Sequence, residues 1–240
     1  MSTIEGGGQF INNGLRLFYD AKNLNSYPMS GSTWFDILNP TLTATFPNGI
    51  TVDTDGFFIL NGINQYISLP KSVGLANSIP NYSFGIWFKP TNNILVGDTP
   101  LLMLIDAEDT SGGAARPDAF LYWDGSGSSS LKFRNFTGVG NDLSTTTNNW
   151  YAGVWYNVQC TYNITTGDKK IYVNGILENS STGFTGAYYN TATFHNIGAY
   201  RNVQWFFPGS VSLFQLYTRT LTDTEVLKNF NLFKGRYNLL

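Results

Sequence analysis

Charged side chains are scarce in this chain. Lys, Arg, Asp and Glu make up 12 % of its 240 residues and the formal net charge is −2, where a typical soluble domain is about 25 % charged. No basic run occurs anywhere. Nucleic-acid binding by phosphate neutralisation needs clustered Lys and Arg, so nucleic acid is not an expected partner. Histidine is nearly missing as well. His195 is the only one, and a zinc centre or a Ser-His-Asp triad would have to use it. No partner spacing around it supports either, so it reads as a structural or surface histidine. The single cysteine, Cys160, has no internal disulfide partner, and the fold needs no oxidising compartment. Cys160 falls on the apolar side of an alternating stretch, which suits a small buried hydrophobe better than a nucleophile.

Long apolar runs are missing too. Nothing approaches the ~18–20 residues that span a bilayer, so no membrane partner is expected. Residues 1–14 are polar and Gly-rich, without the basic start and apolar centre of a secretory leader, which predicts synthesis in the cytoplasm. The Asn-x-Ser/Thr sequons at Asn81, Asn135, Asn163 and Asn179 then go unused. Gly6-Gly7-Gly8 has neither the preceding strand nor the following helix of a phosphate-binding loop.

What the chain holds in quantity is aromatic side chains, 16 % of the total, set in short alternating stretches. Tyr156, Val158, Cys160 and Tyr162 alternate with Asn157, Gln159 and Thr161. That period of two predicts a strand with one face on a core and one toward polar surroundings. Thr166-Gly167-Asp168 follows as a turn, Lys170 to Val173 resumes the strand, and Asn174-Gly175 is a type I′ hairpin signal. Similar stretches recur at Leu15 to Tyr19, Phe57 to Leu60, Tyr66 to Leu69, Phe84 to Phe88, Leu101 to Ile105, Ala119 to Trp123 and Leu131 to Phe136. Thr222-Asp223-Thr224-Glu225 has the form of a capping box, with Leu221 and Val226 as hydrophobic staple. Val226, Leu227, Phe230 and Phe233 follow it at helical spacing, and Gly235 is the candidate residue that ends the helix. The prediction is an all-β chain of roughly a dozen strands in two antiparallel sheets, a sandwich or jelly roll, with one short C-terminal helix. Residues 1–13 read as a flexible or partner-docking arm and residues 14–240 as one domain.

Several blocks resemble the concanavalin A-like lectin/glucanase superfamily in its laminin-G-like branch. Gly14-Leu15-Arg16-Leu17-Phe18-Tyr19-Asp20-Ala21 looks like the opening strand of that branch, and Gly31-Ser32-Thr33-Trp34-Phe35-Asp36 like the segment after it. Phe58-Ile59-Leu60-Asn61-Gly62 with Gln65-Tyr66-Ile67 is similar to its F-x-G-x-x-D-Y-V strand pair. Tyr82 to Lys89 is similar to its S-x-S-x-W-x-K strand. Trp155 to Val158, Lys170 to Gly175, Gly209 to Tyr217 and Leu221 to Phe230 are similar to its closing strands and helix. The resemblance spans about residues 14–236 and rests on fold residues, which do not fix a ligand. It implies a concanavalin A-like sandwich, and binding or assembly more than turnover. Proteins of this kind without leaders are frequent among phage and large-virus structural proteins. The implied role is thus a non-enzymatic virion component, such as a fibre, decoration or capsid-associated protein. Its partners would be other virion proteins or copies of itself, and host glycans are a candidate ligand. The alternative is a free lectin or glycoside hydrolase.

Hydrolysis needs two carboxylates across a cleft, and the Glu-x-Asp-x-x-Glu strand of the superfamily's glucanases has no counterpart here. Asp106-Ala107-Glu108-Asp109 is the nearest approach, in a Gly-rich loop that reads first as solvated. With Asp118 it makes a candidate Ca²⁺ site, because Asp106, Glu108, Asp109 and Asp118 supply the hard oxygen ligands this cation requires. Sugar rings stack their C–H faces on aromatic rings, while polar side chains take the hydroxyls. Trp150, Tyr151, Tyr188, Tyr189 and Trp205 lie in or beside irregular regions and are the candidate sugar platform. Packing under loops is their alternative fate.

Overall fold

The structure, a computed structural model, describes residues 10–70, 81–93, 99–105, 119–124, 128–134, 142–183, 194–200 and 204–239. Among these the strands are β1 (Leu15–Asp20), β2 (Thr33–Phe35), β3 (Thr43–Thr45), β4 (Thr51–Val52), β5 (Phe58–Asn61), β6 (Ile67–Ser68), β7 (Asn81–Pro90), β8 (Thr99–Ile105) and β9 (Ala119–Trp123). They continue with β10 (Leu131–Arg134), β11 (Asp142–Ser144), β12 (Tyr156–Asn163), β13 (Asp168–Val173), β14 (Ile176–Ser181), β15 (Phe194–Ile197), β16 (Ala199–Tyr200), β17 (Gln204–Phe206) and β18 (Pro208–Tyr217). Helix α1 (Asp223–Phe233) and a 3₁₀ turn over Lys234–Tyr237 follow.

Two antiparallel sheets form the expected sandwich. The first runs β14-β13-β12-β7-β18-β5-β4, with β1 on the same edge of β18 as β5. The second runs β11-β10-β9-β8-β15-β6-β3-β2, and β16 and β17 make a separate hairpin. One core lies between the sheets. Phe84, Ile86, Phe88, Val158, Cys160 and Phe214 from the first sheet meet Leu102, Leu121, Trp123, Phe133 and Ile197 from the second. Cys160 is buried there and burial pushes its thiol well up, as its place on the apolar side of β12 implies.

The first sheet is buried on its outer face as well. Sequence alternation put Asn157, Gln159 and Thr161 toward polar surroundings, yet all three are buried. Helix α1 packs over Gln159. Gln159 Nε2 donates to the Val226 carbonyl of the helix at 3.2 Å and to Asn157 Oδ1 at 3.0 Å. The polar alternation thus supplies hydrogen bonds for a buried interface, where an unpaired amide would cost roughly 1–3 kcal/mol. Beside this amide layer stands an aromatic one. Trp87 stacks on Tyr237 at 4.0 Å and lies nearly parallel to Phe230 at 5.7 Å.

Both reciprocal bonds of the capping box are present, between Thr222 and Glu225. Arg219 forks onto Glu225 at 2.6 and 2.8 Å and holds its carboxyl down at about 2. Helix α1 ends at Phe233 with Lys234 as C-cap, so Gly235 stands at the expected C′ position, but without the left-handed backbone of such a stop. Gly235 lies inside the 3₁₀ turn, and Asn238 takes the left-handed residue at φ 56°. The extra turn carries Tyr237 onto Trp87. Leu227 is exposed, and Asn229 takes its place on the buried face. Asn174 and Gly175 form the I′ turn, at φ 50° and 77°. A Cβ on Gly175 would come within 2.9 Å of Phe230. Residues 10–13 of the expected arm pack on the domain itself: Phe10 meets Phe18 at 5.4 Å, and Tyr217 Oη donates to the Ile11 carbonyl at 3.1 Å. His195 is buried on β15 with Nδ1 3.1 Å from the Pro70 carbonyl, a structural position.

A buried lysine links the two sheets. Lys169 of β13 is fully buried, and its Nζ crosses to donate to the Phe133 carbonyl of β10 at 3.0 Å. Burial lowers its ammonium from the ordinary 10.5 to about 7, against the opposing pull of Asp142 and Cys160. Because the folded value lies below the unfolded one, the unfolded chain holds the extra proton between pH 7 and 10.5. Stability therefore rises with pH through that window. Buried phenols such as Tyr217, pushed up by burial, subtract stability only at higher pH. Urea unfolding of the wild type should show a gain on the order of 1–2 kcal/mol from about pH 7 to about pH 9. Lys169→Met should abolish most of it; an undiminished gain would show that Lys169 keeps its proton.

Candidate functional site

With the first sheet covered on both faces, the outer face of the second sheet presents the chemistry. Strand alternation assigns its residues. Ala119, Leu121 and Trp123 of β9 enter the core, whereas Phe120 and Tyr122 form a separate outer cluster. Leu131 and Phe133 of β10 and Leu143 of β11 are likewise inward. Lys132, Arg134 and Asp142 are therefore outward. Register sets Arg134 directly opposite Phe120 on one side and Asp142 on the other.

These residues interlock. Arg134 donates from Nε to Asp142 Oδ1 and from Nη2 to Asp142 Oδ2, each at 2.7 Å. Tyr122 Oη reaches over β10 to donate to Asp142 Oδ2 at 3.0 Å. The guanidinium lies 5.1 Å from the Tyr122 ring centroid. Burial works to raise the Asp142 carboxyl, but the Arg134 fork and charge and the Tyr122 hydroxyl together hold it below the ordinary range. Lys132 pairs with Asp124 beside it.

Aromatic rings extend the strip. Phe120 stacks on Tyr122 at 4.3 Å and 7°. The β16–β17 hairpin places Tyr200 5.9 Å from Phe120 and Trp205 4.8 Å from Tyr200. Trp205 is 45 % exposed. Ala199 pairs with Phe206 and Tyr200 with Gln204, so Trp205 is the extra residue of a β-bulge. Its φ is 52°, left-handed backbone that bulky residues rarely adopt. Bulges re-aim a side chain and gather at binding sites.

Of the residues expected to form a sugar platform, Trp205 lies in this strip. Trp150 does not. It is fully buried, with Nε1 donating to the Ser129 carbonyl at 2.8 Å and its ring edge-on to Trp123 and Tyr156 at 5.6 and 4.9 Å. It belongs to the core and offers no face to a ligand. Tyr151 is exposed. Its turn bonds Pro90 through the Gly153 amide, and Thr91 bonds Pro208, so Tyr151 and Trp205 lie at the same end of the sandwich. Tyr188 and Tyr189 lie outside the described residues, as do Asp106, Glu108, Asp109 and Asp118. Among the described residues no group of three or more His, Cys, Asp or Glu is placed to hold a metal ion. Sequence reading passed over Phe120, Tyr122, Tyr200, Arg134 and Asp142. The available signal was an apolar residue at every position from Ala119 to Trp123, which announces two occupied faces. A crevice of about 440 Å³ between β12, β13 and the start of α1 is lined by side chains such as Thr161, Asn163, Lys170 and Asp223, none of them aromatic.

The profile of the concanavalin A-like lectin/glucanases superfamily matches residues 61–227. The chain belongs to this superfamily. No curated protein matches its sequence significantly. Among solved structures it is similar to Trypanosoma rangeli sialidase, at 18 % identity and TM-score 0.67, over 92 % of this chain and 33 % of that one. The same sialidase in complex with 2,3-difluorosialic acid matches at 18 % identity and TM-score 0.69, over 98 % and 35 %. The receptor binding domain of botulinum neurotoxin C/D mosaic serotype matches at 14 % identity and TM-score 0.66, over 92 % and 52 %. The chain thus spans about a third of the sialidases and half of the toxin domain. At such identities the likeness shows the fold, which enzymes and binding domains share.

The left-handed backbone costs Trp205 on the order of 1–2 kcal/mol, while its ring contact with Tyr200 returns about 0.5–1.5 kcal/mol. Trp205→Gly should therefore leave the melting temperature unchanged or raised. Trp205→Ala, which keeps the strain and loses the ring, should be less stable than Trp205→Gly by about 1 kcal/mol and melt at a lower temperature. Equal melting of the two variants would show that the bulge is unstrained.

Proposed function

We propose that this superfamily member is a non-catalytic carbohydrate-recognition module that works on the surface of a virion. The observation that carries the sugar reading is Trp205, an exposed ring held in unfavourable backbone at one end of a strip whose other end is an Arg134–Asp142 fork. Rings take the apolar face of a sugar, and guanidinium and carboxylate take its hydroxyls. A binding role fits the state of the carboxylate. Asp142 is engaged on both oxygens and held ionised, so it is no proton donor, whereas glycoside hydrolysis needs a carboxylic acid with a raised value. Asp36 is raised by burial, but its oxygens accept the amides of Phe18, Leu38 and Asn39, which commits it to structure. The virion setting draws on the neutral surface rich in Asn, Thr and Ser, which suits packed assemblies.

A glycan array probed with the wild-type chain should return hits that both Trp205→Gly and Trp205→Ala reduce by about tenfold or more, the worth of one ring-stacking contact. Hits that survive both variants would move the site elsewhere. An antibody against this chain should label intact particles from its source; labelling confined to the cell fraction would overturn the virion setting and leave the sugar reading in place.

A further inference from the structure

The polar end of the strip carries its charges in matched pairs. Arg134 faces Asp142, and Lys132 is joined to Asp124. The side chains of Asp142 and Asp124 are 19 % and 18 % exposed, so their charges reach an approaching ligand while added salt still weakens them. Among the described residues, the two cations of this face, Arg134 and Lys132, are thus each neutralised by a carboxylate fixed beside them. A sugar bearing a carboxylate or sulfate would have to displace Asp142 from a two-bond fork to reach Arg134. Failing that, it would bring its own negative charge against Asp142 or Asp124. A neutral sugar meets neither obstacle. The fork uses Nε and Nη2 of Arg134 and leaves Nη1 as a donor to a hydroxyl oxygen. The spare lone pairs of Asp142 accept a hydroxyl proton in return.

Resting on the reading of this strip as a sugar-binding surface, we infer that it selects uncharged glycans and rejects those bearing carboxylate or sulfate, with Asp142 setting the choice. Asp142 acts here as a specificity residue, because its charge rather than its shape excludes the anion. Asn at this position keeps a carbonyl for Arg134 and Tyr122 but removes the negative charge, which leaves Arg134 available to an anion.

The test is titration of the full chain with matched oligosaccharides in neutral, sialylated and sulfated forms. The neutral member should bind at least about tenfold more tightly than either charged one, since like-charge contact at an interface is heavily penalised. Asp142→Asn should shrink that ratio by about tenfold. In the wild type alone, higher ionic strength should shrink it too, because screening weakens repulsion, and this measurement stands if the variant fails to fold. Equal or tighter binding of the charged members would overturn the selectivity and keep the sugar reading. So would a ratio that neither salt nor Asp142→Asn alters. Binding of no member, neutral or charged, would overturn the sugar reading and this inference with it.

Discussion

The docking of the C-terminal helix on the outer face of the first sheet is the constraint on which the rest depends. It turns that sheet into a middle layer with two buried faces and leaves the second sheet to meet the surroundings. Two unlike contacts hold the helix. The stack of Trp87 with Tyr237 and Phe230 contributes apolar burial, roughly 1.5–3 kcal/mol for each large side chain. The amide layer contributes orientation through Gln159, whose Nε2 donates to the Val226 carbonyl of the helix while Asn157 holds it from within the sheet; a shifted helix would leave that donor buried without its second partner. Apolar area alone would tolerate sliding, and the amides do not.

Most of the scaffold was legible in local pattern because strands, hairpins and caps are local chemistry. Asn174-Gly175 sets its turn from two residues, and Thr222 with Glu225 sets the start of α1 from four. The end of α1 was legible in Gly235, but the 3₁₀ turn beyond it was not. Gly235 met the local rule for a stop, but the stacking of Tyr237 on a tryptophan about 150 positions away draws the chain through a further turn. Trp150 misled for a similar reason. Its neighbours Thr145 to Asn149 are polar, yet its ring fills space between Trp123 and Tyr156 that only the assembled sandwich creates. The strip on the second sheet was legible in parts and hidden as a whole. Phe120 and Tyr122 were visible as strand residues. Their union with Arg134, Asp142 and Trp205 needs the register of three strands and the placement of a hairpin.

The scarcity of charge acquires meaning in the structure. With few ionic groups to spend, the chain puts several into pairs with defined tasks. Arg219–Glu225 fastens the cap, Arg236–Asp20 ties the 3₁₀ turn to β1 at 2.6 Å, and Arg134–Asp142 shapes the outer strip. Lys169 places a cation inside the sandwich, where its Nζ donates to a backbone carbonyl of the opposite sheet.

The position of β18 has a consequence for how the molecule comes into being. It pairs with β7 along one edge and with β1 and β5 along the other, and Leu15 faces Tyr217 across about 200 intervening positions. Contacts so distant along the chain make folding slow. A ribosome delivers β1, β5 and β7 long before the strand that closes their edges. Until β18 emerges, the nascent chain displays three strands rich in Phe, Leu and Trp with hydrogen-bonding edges open to other chains. The nascent domain is thus most adhesive in the interval before β18 arrives, and shielding its open edges matters most then.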